Sequence, residues 1–255
     1  MCPRIYLIFI MTISDDKLAR HARHIAMPQM GMGGVHALID AHVTVVGCGG
    51  LGSILASILA AAGVGSLRLV DPGNIELSNL PRQWVFHEED CGRPKVDALA
   101  TALKGNNSDV NIECVNRIFS RQDVEQTDII ADCTDNAASR QEIAYYTWAS
   151  QKTLVSGAVV GLSGQLCVFK PNLGPCRACV FPENPSEEDS CTTMGVLNAA
   201  ATSMAALQAN QVIRELCGYG EPIYNRLWMV DFSDMTTQSI TIKKNPHCKI
   251  CGASS

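Results

Sequence analysis

The sequence has no excess of positive charge and few aromatic residues. Of its 255 residues, 18% are charged and 5% are aromatic, and the formal net charge is −5. Surfaces that bind nucleic acids are strongly basic, so this balance predicts that no nucleic acid is bound. Apolar residues still make up 47% of the chain, which is enough for a substantial core and argues against a disordered protein.

Long apolar runs are also missing. The run Ile5–Met11 is far too short to span a bilayer, and no small-residue cleavage site follows it. We therefore expect neither a membrane partner nor a signal peptide. Residues 1–13 are expected to be a disordered or mis-started N-terminal extension, and Met11 is a candidate for the true start. No internal repeat or low-complexity tract is found, so residues 1–255 are expected to form a single domain.

Cysteine, by contrast, is abundant, with 12 residues. A disulfide framework is typical of small secreted chains with weak cores, and this chain is neither small nor poor in core residues. The cysteine content therefore indicates a reducing compartment, which we take to be the cytoplasm. Four thiols form two C-x-x-C pairs, the spacing of a structural Zn²⁺ site that leaves no coordination position open. These are Cys176, Cys179, Cys248 and Cys251.

Helical and strand patterns alternate up to about residue 156, and residues 120–126 (SRQDVEQ) are among the predicted helices. Such alternation predicts a parallel sheet with right-handed crossovers. After Gly157 the pattern becomes that of antiparallel strands, interrupted by one long helix. The predicted fold is α/β: a Rossmann-like nucleotide-binding parallel sheet, extended by C-terminal antiparallel strands into one continuous mixed sheet. The acidic, proline-containing segment 180–193 is predicted to be a mobile crossover loop.

A glycine loop, VVGCGGLG, joins the first strand to a helix. It has the pattern G-x-G-x-x-G at Gly47, Gly49 and Gly52, in which close backbone approach and a helix N-terminus favour phosphate. Asp71 follows 19 residues after Gly52, at the end of the second strand, where an acid can bind a ribose hydroxyl. The loop predicts a nucleotide but does not say which one, and Cys48 within it is interpreted as a packing residue.

Charged residues downstream favour a phosphate-transfer site over a redox site. Arg82 supplies a planar fork and Lys95 a point charge, both suited to the charge that accumulates on phosphoryl oxygens. Mg²⁺ binds one or two carboxylates together with phosphate oxygens. In the motif DCTDN, both Asp132 and Asp135 are candidates for this role, and Asp135 is the better one because it lies further beyond the apolar strand. The alternative is that both aspartates cap the next helix.

Taken in order, the motifs VVGCGGLGS, ELSNLPRQ, GRPKVDA, DCTDN, CRAC, CTTMGVL and HCKIC resemble the ThiF/MoeB/HesA family over roughly residues 14–252. Members of this family are bacterial relatives of ubiquitin-activating enzymes. The resemblance implies a homodimer that uses ATP to adenylate the C-terminal glycine of a small ubiquitin-like sulfur carrier ending in Gly-Gly. Pyrophosphate leaves, and the acyl-adenylate is later converted to a thiocarboxylate.

The resemblance also implies roles for individual residues. Arg23 matches the arginine that reaches into the partner subunit's site, and Cys191 matches a loop cysteine proposed to take over the activated carrier. From chemistry alone, two interpretations of Cys191 stay open: a reactive thiol near a helix N-terminus and an inert loop thiol. Because no rhodanese-like extension follows, sulfur is expected from a separate cysteine desulfurase or rhodanese-like protein. The nucleotide-binding residues implied are Gly47, Gly49, Gly50, Gly52, Asp71, Ser78, Asn79, Arg82, Lys95, Asp135 and Asn136.

Three competing interpretations stay open at this point. An NAD-dependent oxidoreductase would explain the glycine loop and Asp71 but not Arg82 or Lys95. A zinc-stapled scaffold without catalysis would leave the charged residues without a purpose. A family relative could activate another carboxylate, such as that of a peptide or a modified tRNA base. The thiamin, molybdopterin, tRNA-thiolation, siderophore and other natural-product pathways are all compatible with the resemblance.

Overall fold

Helices and strands alternate through the first two thirds of the chain, as predicted. The computed structural model describes residues 13–181 and 195–252, so the expectations for residues 1–13 and 180–193 fall almost entirely outside the described residues. The helices are α1 (Asp15–Ile25), α2 (Gly31–Ile39), α3 (Gly52–Ala62), α4 (Lys95–Asn106), α5 (Ala137–Ala149), α6 (Arg177–Val180) and α7 (Asn198–Cys217). The strands are β1 (His42–Val46), β2 (Ser66–Val70), β3 (Asn111–Val115), β4 (Ile129–Asp132), β5 (Thr153–Val160), β6 (Ser163–Phe169), β7 (Arg226–Asp231) and β8 (Thr236–Thr241).

These strands form one sheet in the order β3-β2-β1-β4-β5-β6-β7-β8. The first five are mutually parallel, and from the β5–β6 pair onward the pairing is antiparallel. The predicted α/β fold, a parallel nucleotide-binding-type sheet continued by antiparallel strands, is thereby confirmed. Because β1 lies between β2 and β4, the carboxyl ends of these three strands meet at one edge, where ligands of open α/β sheets bind.

Local signals place the first helices where the sequence predicts them. Ser14 caps α1, its hydroxyl accepting a hydrogen bond from the Lys17 amide at 3.5 Å. Gly63 ends α3 in the left-handed region with φ of 95°, which glycine adopts without the penalty that a Cβ would bring.

Two apolar clusters cover the two faces of the sheet. Helices α2, α3, α4 and α7 pack on one face, while α5 and α6 contribute to the other. Within the described ranges, none of the helices is both long enough and apolar enough to cross a lipid bilayer.

The helix predicted over residues 120–126 is wrong, because only a 3-10 turn, Arg121–Val124, forms there. The Asp123 carboxylate accepts hydrogen bonds from both Arg117 terminal nitrogens at 2.8 and 2.9 Å. Its carbonyl oxygen accepts one from the Thr44 hydroxyl of β1 at 3.2 Å. These contacts tie the segment to β1 and to Arg117. The Asp123 carbonyl is therefore used by a tertiary contact and not by the i→i+4 hydrogen bonds of an α-helix.

Candidate functional site

The glycine loop packs tightly between two strand ends. Gly47 has φ of +87°, and a Cβ added there would lie 2.9 Å from the Cys133 carbonyl oxygen at the end of β4. A Cβ on Gly52 would lie 1.8 Å from the Gly47 carbonyl oxygen, so the first turn of α3 can sit against the loop only if residue 52 is glycine. The loop residues Gly47, Gly49 and Gly50 line the cavity at the carboxyl ends of the strands.

Asp71 fastens this loop to the second strand. One carboxylate oxygen accepts a hydrogen bond from the Cys48 amide and the other accepts one from the Gly73 amide, both at 2.7 Å. Asp71 is buried, and any ribose hydroxyl would use the lone pairs that remain. Cys48 is fully buried in the apolar cluster, as expected of a packing residue, and burial, followed by the Asp71 charge, raises the pKa of its thiol well above the usual value.

A cavity of about 360 Å³ opens at the ends of β1, β2 and β4. It brings together residues that are far apart in the sequence and were predicted as a site. Those lining it are Gly47, Gly49, Gly50, Asp71, Arg82, Lys95, Asp135 and Asn136.

Two cations approach the cavity from neighbouring segments. The Lys95 amide donates to the Gly73 carbonyl at 3.0 Å, which fixes the start of α4 beside the end of β2. A Cβ on Gly73 would be only 3.2 Å from the Lys95 ammonium nitrogen, so glycine there leaves room for the lysine. The Arg82 side chain lies over Gly50, and its guanidinium donates to the Ser78 carbonyl at 3.0 Å. The arrangement can receive an anionic group above the glycine loop.

The DCTDN motif divides its polar groups between structure and cavity. The Asp132 carboxylate is fully buried and accepts from the Ser156 and Thr134 hydroxyls at 2.8 and 2.7 Å, so it does not line the cavity. Asp135 is exposed at the cavity wall. Asn136 caps α5 by accepting from the Ser139 amide at 2.8 Å, which is the capping role considered above for the aspartates. Asp135 is therefore the carboxylate of this motif that lines the cavity.

Three of the predicted residues support the site without lining it. Gly52 acts through packing, as described above. Ser78 and Asn79 stabilise the turn before Arg82, where the Asn79 side-chain oxygen accepts from the Glu76 amide at 3.2 Å and the Ser78 hydroxyl donates to the Glu76 carboxylate at 3.3 Å.

Two further predicted residues stand apart from the cavity. Arg23 is exposed on α1 and is not among the residues that line the cavity of its own chain. Cys191 lies outside the described residues.

The cavity also contains polar residues for which no role was predicted. Arg140, one turn into α5, donates to the carbonyls of Thr134 and Gly157, the latter at 3.1 Å, and so holds a third cation at the wall. Gln83 and Ser139 line the cavity as well. Gln83 belongs to the polar LSNLPRQ loop and directly follows Arg82, but no role was assigned to it, whereas no sequence signal distinguishes Arg140 from a surface residue of its helix.

The four paired cysteines converge into one cluster. Their sulfur atoms all lie within 4.8 Å of one another, with separations of 3.5 Å for Cys176–Cys248 and 3.3 Å for Cys179–Cys251. A tetrahedral Zn²⁺ site with bonds of about 2.3 Å separates its sulfurs by about 3.8 Å, so the cluster fits such an ion. Burial alone would raise the pKa of Cys248, but the amides of Cys251 and Ile250 lower it to about 6. The described cysteines form no disulfide, and this cluster could hold a metal ion.

Comparison with known proteins agrees with this geometry. The sequence profile of the ThiF family matches residues 21–250. The chain is 36% identical to a SAMP-activating enzyme E1 of Haloferax volcanii over 250 residues, covering 95% of this chain and 92% of that protein. It is 38% identical to the adenylyltransferase and sulfurtransferase MOCS3 of Bos taurus over 249 residues, covering 94% of this chain and 54% of that one. The chain thus spans about half the length of the MOCS3 relatives.

Among solved structures, E. coli MccB with ATP superposes with a TM-score of 0.79 at 22% identity, over 94% of this chain and 75% of that one. This likeness concerns the fold. The fold and the cavity together define an α/β protein of the nucleotide-binding type, with a cysteine cluster that could hold a metal ion. With the profile match and the identity to named relatives, the chain belongs to the ThiF family and is an enzyme of the adenylyltransferase class. Neither an NAD-dependent oxidoreductase nor a scaffold without catalysis is supported.

Proposed function

We propose that the chain adenylates the C-terminal glycine carboxylate of a small ubiquitin-like sulfur carrier that ends in Gly-Gly. ATP is consumed, pyrophosphate leaves, and the acyl-adenylate is the first step toward a thiocarboxylate. The observation that carries the proposal is the single cavity in which Arg82, Lys95 and Asp135 meet the glycine loop. A redox nucleotide has no need of this charge set, whereas a triphosphate that reacts at its α-phosphorus does.

The chemistry requires two anions to approach each other. The carrier carboxylate is ionised at neutral pH, so no general base is needed, but it is repelled by the triphosphate. Arg82 and Lys95 would offset that repulsion and stabilise the charge of the transition state. Asp135 would hold Mg²⁺ together with phosphate oxygens, and the ion would supply further charge neutralisation. Asp71 remains the proposed ribose ligand, through its free lone pairs.

The proposal includes a homodimer, as the family resemblance implies, and the exposed position of Arg23 away from the cavity of its own chain is compatible with it. In the dimer, Arg23 of one protomer would reach the cavity of its partner. Cys191 would take over the activated carrier, and sulfur would come from a separate cysteine desulfurase or rhodanese-like protein in the cytoplasm. The ion in the cysteine cluster would be Zn²⁺, fastening the C-terminus to the segment after β6.

A second candidate is activation of another carboxylate, on a peptide or a modified tRNA base. The relatives with 36% and 38% identity are named as a SAMP-activating enzyme E1 and as an adenylyltransferase and sulfurtransferase, which favours the carrier. MccB shares only 22% identity and supports the fold alone.

Exchange of labelled pyrophosphate into ATP tests the proposal directly. With a candidate carrier at saturating concentration, Arg82→Ala and Lys95→Ala should each slow exchange roughly 100-fold or more, because a charge-stabilising donor is lost. Lys104→Ala is the matched control, since it removes the same charge from the same helix outside the cavity. Normal circular dichroism would show that the fold is intact. Near-normal exchange in both site variants would contradict the phosphate assignment.

A further inference from the structure

We propose that a second cavity, at the edge of the sheet opposite the cavity described above, binds a small organic diamine. This second cavity has a volume of about 400 Å³ and lies where β4 and β5 begin and where α2 and α7 end. It shares no lining residue with the first cavity, so the inference is independent of the proposed function.

The second cavity is negatively charged. It is lined by three carboxylates, those of Asp40, Asp128 and Glu215, and by the ammonium group of Lys170, so that its net charge is −2. The C-terminal ends of α2 and α7 reach it as well, and a helix C-terminus carries a partial negative charge that favours cations. Carboxylates and helix ends therefore act in the same direction, and the cavity attracts cations.

The ammonium group in the cavity is already paired. Lys170 Nζ lies 3.4 Å from Glu215 Oε2, and the same oxygen accepts a hydrogen bond from the Tyr224 hydroxyl at 2.9 Å. The other Glu215 oxygen accepts one from the side-chain amide of Gln211 at 3.1 Å. Glu215 is thus neutralised and hydrogen-bonded within the fold, which leaves the two aspartates as the uncompensated charges of the cavity.

The two aspartates have oxygens available for a ligand. Asp128 accepts a hydrogen bond from the His42 backbone amide at 2.9 Å through one oxygen, and the His42 ring nitrogen is too far away for another at 4.0 Å. The Asp40 carboxylate has neither a hydrogen bond nor an ion pair within residues 13–181 and 195–252. Exposed acidic groups are common on proteins, so these two alone would not indicate a ligand.

Thr153 supplies independent evidence for one. It is the first residue of β5, it is only 8% exposed, and it lines the second cavity. Side chains alternate along a strand, so Thr153 points to the same face as Val155, which packs in the cluster that α2 and α7 cover. Its hydroxyl has no hydrogen-bond partner among the described residues, whereas buried hydroxyls are nearly always paired. A ligand with N–H donors would pair with this hydroxyl and with both aspartates.

An ammonium group fits these acceptors better than a metal ion does. It donates up to three hydrogen bonds, and two carboxylates and a hydroxyl are there to accept them. Within the part of the chain that the structure describes, the four cysteines are the only group of three or more potential metal ligands close enough to share an ion. A molecule with two ammonium groups would also match the net charge of the cavity.

Calorimetry with the full chain at low ionic strength tests the proposal. The probes are three four-carbon molecules: the diamine putrescine, the neutral butanediol and the dianion succinate. Putrescine should bind with a Kd below about 1 mM, and neither of the other two should bind. Because putrescine binds the folded chain, it should also raise the urea unfolding midpoint.

Substitutions in the cavity should weaken this binding in a defined way. Asp40→Asn and Asp128→Asn should each raise the Kd for putrescine roughly 5-fold or more, because a charged acceptor becomes a neutral one, while the asparagine oxygen at position 128 can still accept from His42. Thr153→Val should also raise the Kd, yet without putrescine it should not lower the urea unfolding midpoint, since no hydrogen bond is lost. Asp234→Asn, which removes an exposed carboxylate outside the cavity, is the matched control and should bind as the wild type does.

Four results would overturn the proposal. These are the absence of putrescine binding, binding of succinate in its place, an equal response to magnesium chloride at the same concentration, and an equal loss of affinity in Asp234→Asn and Asp40→Asn. The third would indicate a metal ion or simple screening, and the fourth a general attraction to the acidic surface. None of these measurements uses ATP or a carrier protein, so failure of the proposed function would leave them unchanged.

Discussion

At the scale of single residues, the glycines of the loop are required for different reasons. Gly47 needs both its positive φ and the space that a Cβ would take, whereas Gly52 needs only the absence of a Cβ, which would lie 1.8 Å from the Gly47 carbonyl oxygen. The sequence pattern treats the two alike. The structure shows that the second one sets the distance between α3 and the end of β1, and hence the shape of the phosphate cradle.

Gly52→Ala should therefore damage both stability and nucleotide binding. The added methyl group forces the helix and the loop apart, and such overpacking costs about 1–3 kcal/mol in the free energy of unfolding. Urea unfolding and calorimetry with Mg-ATP would measure the two effects. Gly105→Ala in α4 is the control, because a Cβ there meets nothing within 4 Å and helix propensity predicts a small gain in stability. Equal behaviour of the two variants would contradict the packing argument.

Much of the site can be predicted from the sequence, because several of its residues follow directly after strands. Gly47, Asp71 and Asp135 follow β1, β2 and β4, and parallel strands bring such positions to one edge whatever the loops do. Ser78 and Asn79 were expected to bind phosphates, but their side chains are engaged with Glu76. Arg140 was not found, because nothing in the sequence distinguishes it from the other polar residues of α5, and its place at the cavity depends on tertiary hydrogen bonds to the Thr134 and Gly157 carbonyls.

At the scale of elements, α1 depends on a neutral histidine. His21 is 4% exposed, and its ring occupies the space over Gly63, where a Cβ would come within 2.4 Å of the ring. Its Nδ1 has no hydrogen-bond partner among the described residues. Burial lowers the pKa of His21; His24, Arg20 and Lys17 add to this effect and Asp109 opposes it.

This lowered pKa predicts acid sensitivity. The unfolded chain takes up the His21 proton below about pH 6.5, while the folded protein resists it, so stability is full above that pH and falls as the pH drops toward the folded pKa. Urea unfolding midpoints at pH 7.5 and 5.5 should differ more for the wild type than for His21→Gln. His36→Gln should retain the wild-type difference. If His21→Gln retained it too, His21 would not be the group responsible.

Other elements mark the limit of prediction from patterns. Ser120, Asp123 and the apolar Val124 suggest a capped helix, yet the Asp123 carboxylate is used by Arg117 and its carbonyl by Thr44 and Arg68. Tertiary hydrogen bonds thus compete with the backbone hydrogen bonds of a helix. In this short segment the tertiary bonds of Asp123 prevail, and no α-helix forms. The one long helix predicted among the antiparallel strands does form, as α7, and many side chains along it are buried together.

At the scale of the whole molecule, the parallel and antiparallel parts of the sheet are held differently. The central parallel strands β1, β4 and β5 are buried beneath helices, whereas the parallel edge strand β3 is largely exposed and β8 is exposed at every position. The chain after β8 returns to the segment after β6 through the cysteine cluster, in which Cys248 and Cys251 meet Cys176 and Cys179. We expect the antiparallel end of the sheet to depend on this connection.

Removal of the metal should therefore loosen the C-terminal strands first. The protein purified under reducing conditions should contain one equivalent of Zn²⁺ per chain, measured by elemental analysis, and a strong chelator should lower the urea unfolding midpoint, since binding of a structural metal contributes directly to folding free energy. Hydrogen exchange should accelerate in β7 and β8 before β1 and β4. Cys248→Ser should reproduce the loss of metal and of stability, while Cys114→Ser, an exposed thiol outside the cluster, should show neither. A metal-free protein of unchanged stability would contradict the role of the cluster in joining the two segments.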